Sequence, residues 1–317
     1  MSRYKEIDLK NQKRYSLQER ESKVDGSYFY KQAEDKSLSG FISSLPDILQ
    51  AREFKELIDH TYQAVKNGKP VIVALGGHVI KCGLSPLLIE MLELGVIKCL
   101  AGNGSVAIHD FEIALTGQTS EDVKRALEDG SFGMARETGD QINRAIIDAS
   151  SRQLGYGEGI GAYIEARNAP YRHLSLFAAA SRKQVPFTVH VAMGTDIVHQ
   201  HKSADGSAIG DCSLRDFRIF CEQLKGLNDG GVFLNFGSAV IMPEVFLKGV
   251  TVVRNLGYPL KGFYTAVFDM NYHYRPKVNI VERPTGNSGK GYYFVGHHEI
   301  MIPLFLGALK ERLVSDA

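Results

Sequence analysis

Tryptophan is absent, and cysteine and proline are scarce, at 4 and 10 in 317 residues. The four cysteines, Cys82, Cys99, Cys212 and Cys221, form no C-x-x-C pair. That points away from a disulfide framework or a dithiol redox motif and reads as small buried hydrophobes of a reducing compartment. An excess of one charge is missing too. Lys plus Arg number 37 against 36 Asp plus Glu, so the net charge of +1 gives no footprint for nucleic acid or a membrane surface. No apolar run approaches the ~20 residues of a membrane-spanning helix. The opening MSRYKEIDLKNQKRYSLQERESK is charged without an apolar stretch, unlike a secretory signal, and the chain reads as cytoplasmic. There is no G-x-S-x-G, H-E-x-x-H or G-x-x-x-x-G-K-[ST], which argues against serine-hydrolase, metalloprotease and P-loop chemistry.

Glycine is what the chain has in quantity, 32 residues, and three apolar runs break into small residues before restarting as helices. They are VIVALGGHVIKCG at 71–83, IKCLAGNGSVAIHDFE at 97–112 and GVFLNFGSAVIMPE at 231–244. Such turns leave backbone N–H groups free to meet a ligand, and in open parallel α/β sheets the ligand crevice lies at the carboxyl ends of the strands. The pattern predicts a nucleotide-type cofactor cleft.

Residues 1–45 are polar and weakly periodic and read as an arm; 46–317 read as a single domain. Phe54, Leu57, Ile58, Tyr62 and Val65 make one helical stripe within 51–67. Strands are expected at 71–75, 97–101, 186–192, 232–236 and 263–269. Helices are expected at 84–94, 106–115, 171–183, 214–224, 243–256 and 300–313, with a restart at 117–122 capped by Thr119 or Ser120. The stretches 194–213 and 271–291 read as long polar connections. This alternation predicts a doubly wound, mostly parallel, Rossmann-like α/β sheet with helices on both faces.

Several residues suit chemistry at those strand ends. Gly77 and His78 follow the first strand, Asn103, Gly104 and Ser105 the second, Gly237 and Ser238 the fourth, and Asp269 closes the last. His109 and Asp110, with Glu112 near, sit where they could move protons beside a cofactor. Asp196 is followed by His199 and His201. An H-x-H pair flanked by acids also suits a divalent metal, with His297 or His298 as a further ligand.

The order and spacing of these turns resemble the deoxyhypusine synthase family over roughly residues 60–315. Gly77-His78 and Gly83 fall at its first cofactor turn, Asn103-Gly104-Ser105 at its second, and His109-Asp110 at its acidic pair. KQVPFTVHVA, GGVFLNFGSAVIMPEVF, Arg275-Pro276 and FVGHHEIMIPL also have counterparts. The resemblance implies bound NAD and a homotetramer with sites at subunit interfaces. It also implies oxidation of spermidine and transfer of an aminobutyl group through a lysine imine. The imine-forming lysine falls here at Pro284, with Lys277 and Lys290 nearest, and the amine-contacting histidine falls at Pro243. The family's Asp-Gly-Ser has two candidates, Gly194-Thr195-Asp196 and Asp205-Gly206-Ser207.

The expectation is an NAD-dependent enzyme of this type, acting on a small amine or alcohol by transient oxidation and group transfer, and not making deoxyhypusine. Gly77, His78, Asn103, Gly104, Ser105, Asp196, Gly237, Ser238 and Asp269 would line the cofactor, with no resident metal. His109, Asp110, His199 and His201 would serve catalysis. The alternatives are a metal-dependent hydrolase built on the His199/His201 loop and a non-catalytic NAD-binding protein.

Overall fold

The computed structural model describes residues 2–33, 35–286 and 288–315. In chain order the elements are α1 (Leu38–Ser44), α2 (Leu49–Lys66), β1 (Val71–Leu75), α3 (Gly77–Lys81), α4 (Ser85–Glu93), β2 (Ile97–Asn103) and α5 (Gly104–Thr116). Then come α6 (Val123–Asp129), α7 (Arg136–Ser151), α8 (Tyr156–Ala166), α9 (Leu176–Lys183), β3 (Phe187–His190), α10 (Gly206–Leu224), β4 (Val232–Phe236) and α11 (Ile241–Asn255). The chain finishes with β5 (Tyr264–Asp269), α12 (Tyr274–Pro276), β6 (Lys290–Val295) and α13 (His298–Ser315).

The six strands form one sheet in the order β3-β2-β1-β4-β5-β6, and every neighbouring pair is parallel. Parallel strands need helical crossovers, which cover both faces, so the central strands must be apolar on both sides. β1 obeys this: all five of its residues are buried. Val71, Val73 and Leu75 point into one core with α2, α4, α5, α7, α8, α9 and α13, whereas Ile72 and Ala74 point into a second core with α10 and α11. Burying a side chain such as Phe246 or Leu57 contributes about 1.5–3 kcal/mol.

The strand order reverses between β1 and β4, which is where doubly wound sheets open their ligand crevice. The turns after these strands touch through the backbone. A Cβ on Gly76 would collide with the Gly237 carbonyl, so neither turn tolerates a larger residue there.

Some boundaries differ from the sequence expectation. Asp205 accepts from the backbone N–H groups of Ser207 and Ala208, so α10 begins at Gly206, inside the expected loop. Ser120 takes a left-handed conformation, φ 71°, and Asp122 caps the helix that follows instead of Thr119 or Ser120. Ser175 caps α9, which splits the expected 171–183 helix. The expected 271–291 connection contains α12, a π-helical stretch at Lys277–Glu282 and the edge strand β6. The polar N-terminal stretch joins the body at α1, where the Ser39 N–H bonds Glu311 of α13. Among the described residues no helix is long and apolar enough to cross a membrane.

Candidate functional site

The β2–α5 turn builds the most developed polar site. Asn103 ends β2 and caps α5: its side-chain oxygen accepts from the Val106 N–H at 3.3 Å and from the Ser105 hydroxyl at 2.8 Å. That cap sets the helix phase and places His109 and Glu112 one turn apart on the same face. Gly117 then ends α5 in the left-handed conformation, φ 73°, and turns the chain back so that Thr119 meets both side chains.

The resulting bonds fix proton positions. Thr119 Oγ1 lies 2.6 Å from Glu112 Oε2 and 2.7 Å from His109 Nδ1. A carboxylate only accepts, so the single hydroxyl proton goes to Glu112 and the hydroxyl oxygen must accept from His109 Nδ1–H. The lone pair of neutral His109 is therefore on Nε2, which makes no hydrogen bond among the described residues. Glu112 is held from its other side by Thr138, at 2.9 Å. Burial lowers the His109 pKa from its ordinary value, with the Glu112 charge acting in the opposite sense, so the ring favours its neutral form. A cavity of about 500 Å³ adjoins this chain and is lined by Lys81, Ser105, His109, Glu112, Thr119 and Asp196, among others.

Asp196 closes that cavity from the loop after β3. Its carboxylate stands so close over Gly104 that any Cβ there would overlap it. Both Asp196 Oδ2 and His199 Nε2 are buried without a hydrogen-bond partner, and they lie 3.9 Å apart. His199 Nδ1 accepts from the Gly194 and Asp196 N–H groups at 3.1 and 3.3 Å, which leaves Nε2 as the proton-bearing atom of the neutral ring. Burial raises the Asp196 pKa, partly offset by His199.

Other expected residues serve the fold. Asp110 is fully buried and accepts from the Ser175 hydroxyl and the Leu176 and Phe177 N–H groups, tying α5 to the start of α9; burial pushes its pKa up to about 6. This occupies the carboxylate and turns it away from proton transfer. His201 packs its ring on Gly139 of α7 and bonds the Gly133 carbonyl at 2.8 Å. Among the described residues, His199, His201 and Asp196 do not converge as a metal-ligand group. Ser238 is buried and its hydroxyl accepts from the Met242 N–H, while its carbonyl accepts from Asn235. Asp269 accepts from the Asn271 N–H and lies 3.4 Å from His273. Gly77 packs on Ser105 and His109, and a Cβ there would sit 2.5 Å from the Ser105 hydroxyl. His78 is exposed, 5.5 Å from His298 between ring centroids.

The lysines also fall into place. Pro284 lies between the π-helical stretch and the start of β6, where its carbonyl accepts from Arg254. That is the amino-terminal side of the sheet, away from the cavity. Lys290 starts β6 and pairs with Glu56, and half-exposed Lys277 lies over the Tyr272 ring, whose hydroxyl as a hydrogen-bond partner raises its pKa. Lys81 is the lysine that lines the cavity. A second cavity, about 420 Å³, lies at the outer edge of β3 against Gly157, Phe177, Pro186 and Asp216. Its Asp216 already accepts from the Gly157 and Val189 N–H groups.

Thr119 and Thr138 were not expected as site residues. Their contacts span seven to 26 residues and depend on the left-handed Gly117 turn and on the approach of α7, which the local sequence pattern does not carry.

No family model matches the sequence, and no curated protein matches it. Solved structures do. AgrE in its ternary complex with ornithine and NAD+ aligns over 83% of this chain with TM-score 0.52 and 16% identity. Unliganded AgrE aligns with TM-score 0.53 and 17% identity, also over 83%. This chain spans about a third of the length of AgrE, 33% and 32% in the two structures. A candidate deoxyhypusine synthase from Entamoeba histolytica aligns over 88% of this chain and 95% of its own, with TM-score 0.51 and 9% identity. What this chain shares with these proteins is the Rossmann-like α/β fold.

Proposed function

We propose that this chain is an enzyme that holds NAD at the carboxyl end of its sheet and uses His109 to take a proton from a small amine or alcohol substrate in the adjoining cavity. The observation that carries the reading is the Glu112–Thr119–His109 chain, which leaves a lone pair on neutral His109 in a cavity lined by residues that follow β1, β2 and β3. Support for the cofactor comes from the unpartnered Asp196 Oδ2 and His199 Nε2. A ribose hydroxyl donates to the first and accepts from the second, which satisfies both buried atoms at once. A phosphate fits this spot poorly, because the Asp196 carboxylate already occupies the start of α5.

When bound, NAD supplies a hydride acceptor. The chain's own part is the proton. His109 Nε2 accepts it from the substrate hydroxyl or amine, Thr119 keeps the ring in the correct tautomer, and Glu112 stabilises the imidazolium through the hydroxyl. A positioned base of this kind contributes about 10²–10⁴-fold in rate. Because burial lowers the His109 pKa, the acid limb of kcat/KM should lie below the ordinary histidine value of about 6.5. A lysine imine has no support at Pro284, so group transfer after oxidation proceeds without that intermediate or through Lys81. A homotetramer with cofactor sites between subunits belongs to this reading, and sedimentation measures it.

The test is a panel of small amines, amino acids and alcohols incubated with NAD and the full-length chain, followed by NADH absorbance. His109→Gln should cut turnover by about 10²-fold or more while leaving NAD affinity unchanged. Turnover within tenfold of the parent in His109→Gln would remove the proposed base.

A further inference from the structure

We propose a second site in this chain, for a zinc-class divalent cation, formed by His78, Cys82 and His298 with Glu299 as the fourth donor. It is independent of the NAD reading and stands apart from His109. One ligand atom from each of His78, Cys82 and His298 lies within 4.8 Å of the others. His78 begins α3 and Cys82 caps its end, the Cys82 N–H bonding the His78 carbonyl, so the two side chains sit one turn apart on the same side. His298 reaches them from the start of α13.

The state of His298 points to a ligand. It is 2% exposed, its Nδ1 is buried, and that atom has no hydrogen-bond partner. Its other nitrogen, Nε2, lies 3.2 Å from the Phe268 carbonyl and must donate to it, which leaves a bare lone pair on Nδ1. An N–H donated to a backbone carbonyl is the usual arrangement behind a metal-bound imidazole, because it fixes the tautomer and the ring plane. The ring is held further by the β4 turn: a Cβ on Gly237 would sit 2.7 Å from His298 Cε1. The Cys82 sulfur lies 3.7 Å from Glu299 Oε2, so a carboxylate stands beside the thiol.

Two imidazoles, a thiolate and a carboxylate form a donor set that suits Zn²⁺ or Co²⁺ and does not suit Mg²⁺ or Ca²⁺. Tetrahedral Zn–N and Zn–S bonds put neighbouring ligand atoms about 3.3–3.6 Å apart. The present spread, up to 4.8 Å, therefore closes by about 1.2–1.5 Å on binding, through rotation of exposed His78 and part-exposed Cys82. The cation would bolt α3 to α13 across the ends of β1, β4 and β5. His78 then belongs to this site and leaves the cofactor cradle.

Metal-stripped full-length protein is titrated with Zn²⁺ and with Co²⁺, without NAD. The expected result is one equivalent per chain, and a thiolate-to-cobalt charge-transfer band in the near ultraviolet. Cys82→Ser should remove that band, and both Cys82→Ser and His78→Ala should weaken Zn²⁺ binding at least tenfold. Neither side chain is part of the buried core, so circular dichroism should show both variants folded. Substoichiometric binding at micromolar metal, a band that persists in Cys82→Ser, or unchanged affinity in both variants would overturn the proposal.

Discussion

Replacing Thr119 with valine tests the proton arrangement at His109 without needing a substrate. Valine keeps the volume and removes the hydroxyl. Two hydrogen bonds vanish, the 2.6 Å bond to Glu112 and the 2.7 Å bond from His109. A bond to a charged group contributes about 1.5–3 kcal/mol and a neutral one about 0.5–1.5 kcal/mol. Both partners are only part-buried, so water recovers some of this, and Glu112 stays anchored by Thr138. The expected loss is about 1–2 kcal/mol, read by urea denaturation. Imidazole ¹⁵N NMR should show the proton of neutral His109 on Nδ1 in the parent protein and released from Nδ1 in Thr119→Val. Parent spectra with the proton on Nε2, or a variant within about 0.5 kcal/mol of the parent, would refute the relay.

Three other outcomes follow from the same structure. Gly76→Ala should prevent or strongly impair folding, since its Cβ would overlap the rigid Gly237 carbonyl; a soluble variant melting near the parent temperature would show that the turns part easily. Asp196→Asn should stabilise the protein by about 1 kcal/mol, because it removes a charge that burial disfavours although the amide leaves a polar atom in its place, while weakening ligand binding; a destabilised variant in thermal denaturation would contradict this. Burial lowers the His190 pKa to about 3, so below pH ~6.5 the unfolded chain takes up a proton that the folded chain refuses. His190→Asn should therefore gain stability relative to the parent as pH falls from 6.5 towards 3, by up to ~1.4 kcal/mol per pH unit, and parallel stability curves for the two proteins would exclude it.

The sheet was readable in the sequence because its strands are buried on both faces. VIVAL, IKCLAG and VFLNF carry apolar residues without alternation and end in glycine, the pattern a central parallel strand requires. β6 was not readable, since KGYYFV is an edge strand inside a glycine-rich polar stretch. Of the site, His109 was visible as a titratable group beside a turn. Its partner Thr119 was not, because the contact depends on the left-handed Gly117 and spans ten residues. Asp110 misled for a related reason. A carboxylate in the first turns of a helix suits catalysis and capping alike, and only the fold shows that it holds the start of α9. Asp196 and His199 were readable as polar residues of one loop, expected at the cofactor and in catalysis, but not as two buried atoms left unsatisfied. Cys82 departs from the other three cysteines, which are buried, and sequence offers no way to see His298 arrive beside it.

The central claim is that NAD binds at the carboxyl end of the sheet and that Asp196 and His199 hold one of its riboses. Calorimetric titration of the full-length chain with NAD tests it most directly, run in parallel with Asp196→Ala. One site per chain in the micromolar range is expected, with a loss of at least tenfold in the variant. No heat at millimolar NAD, or equal affinity in both proteins, would contradict it.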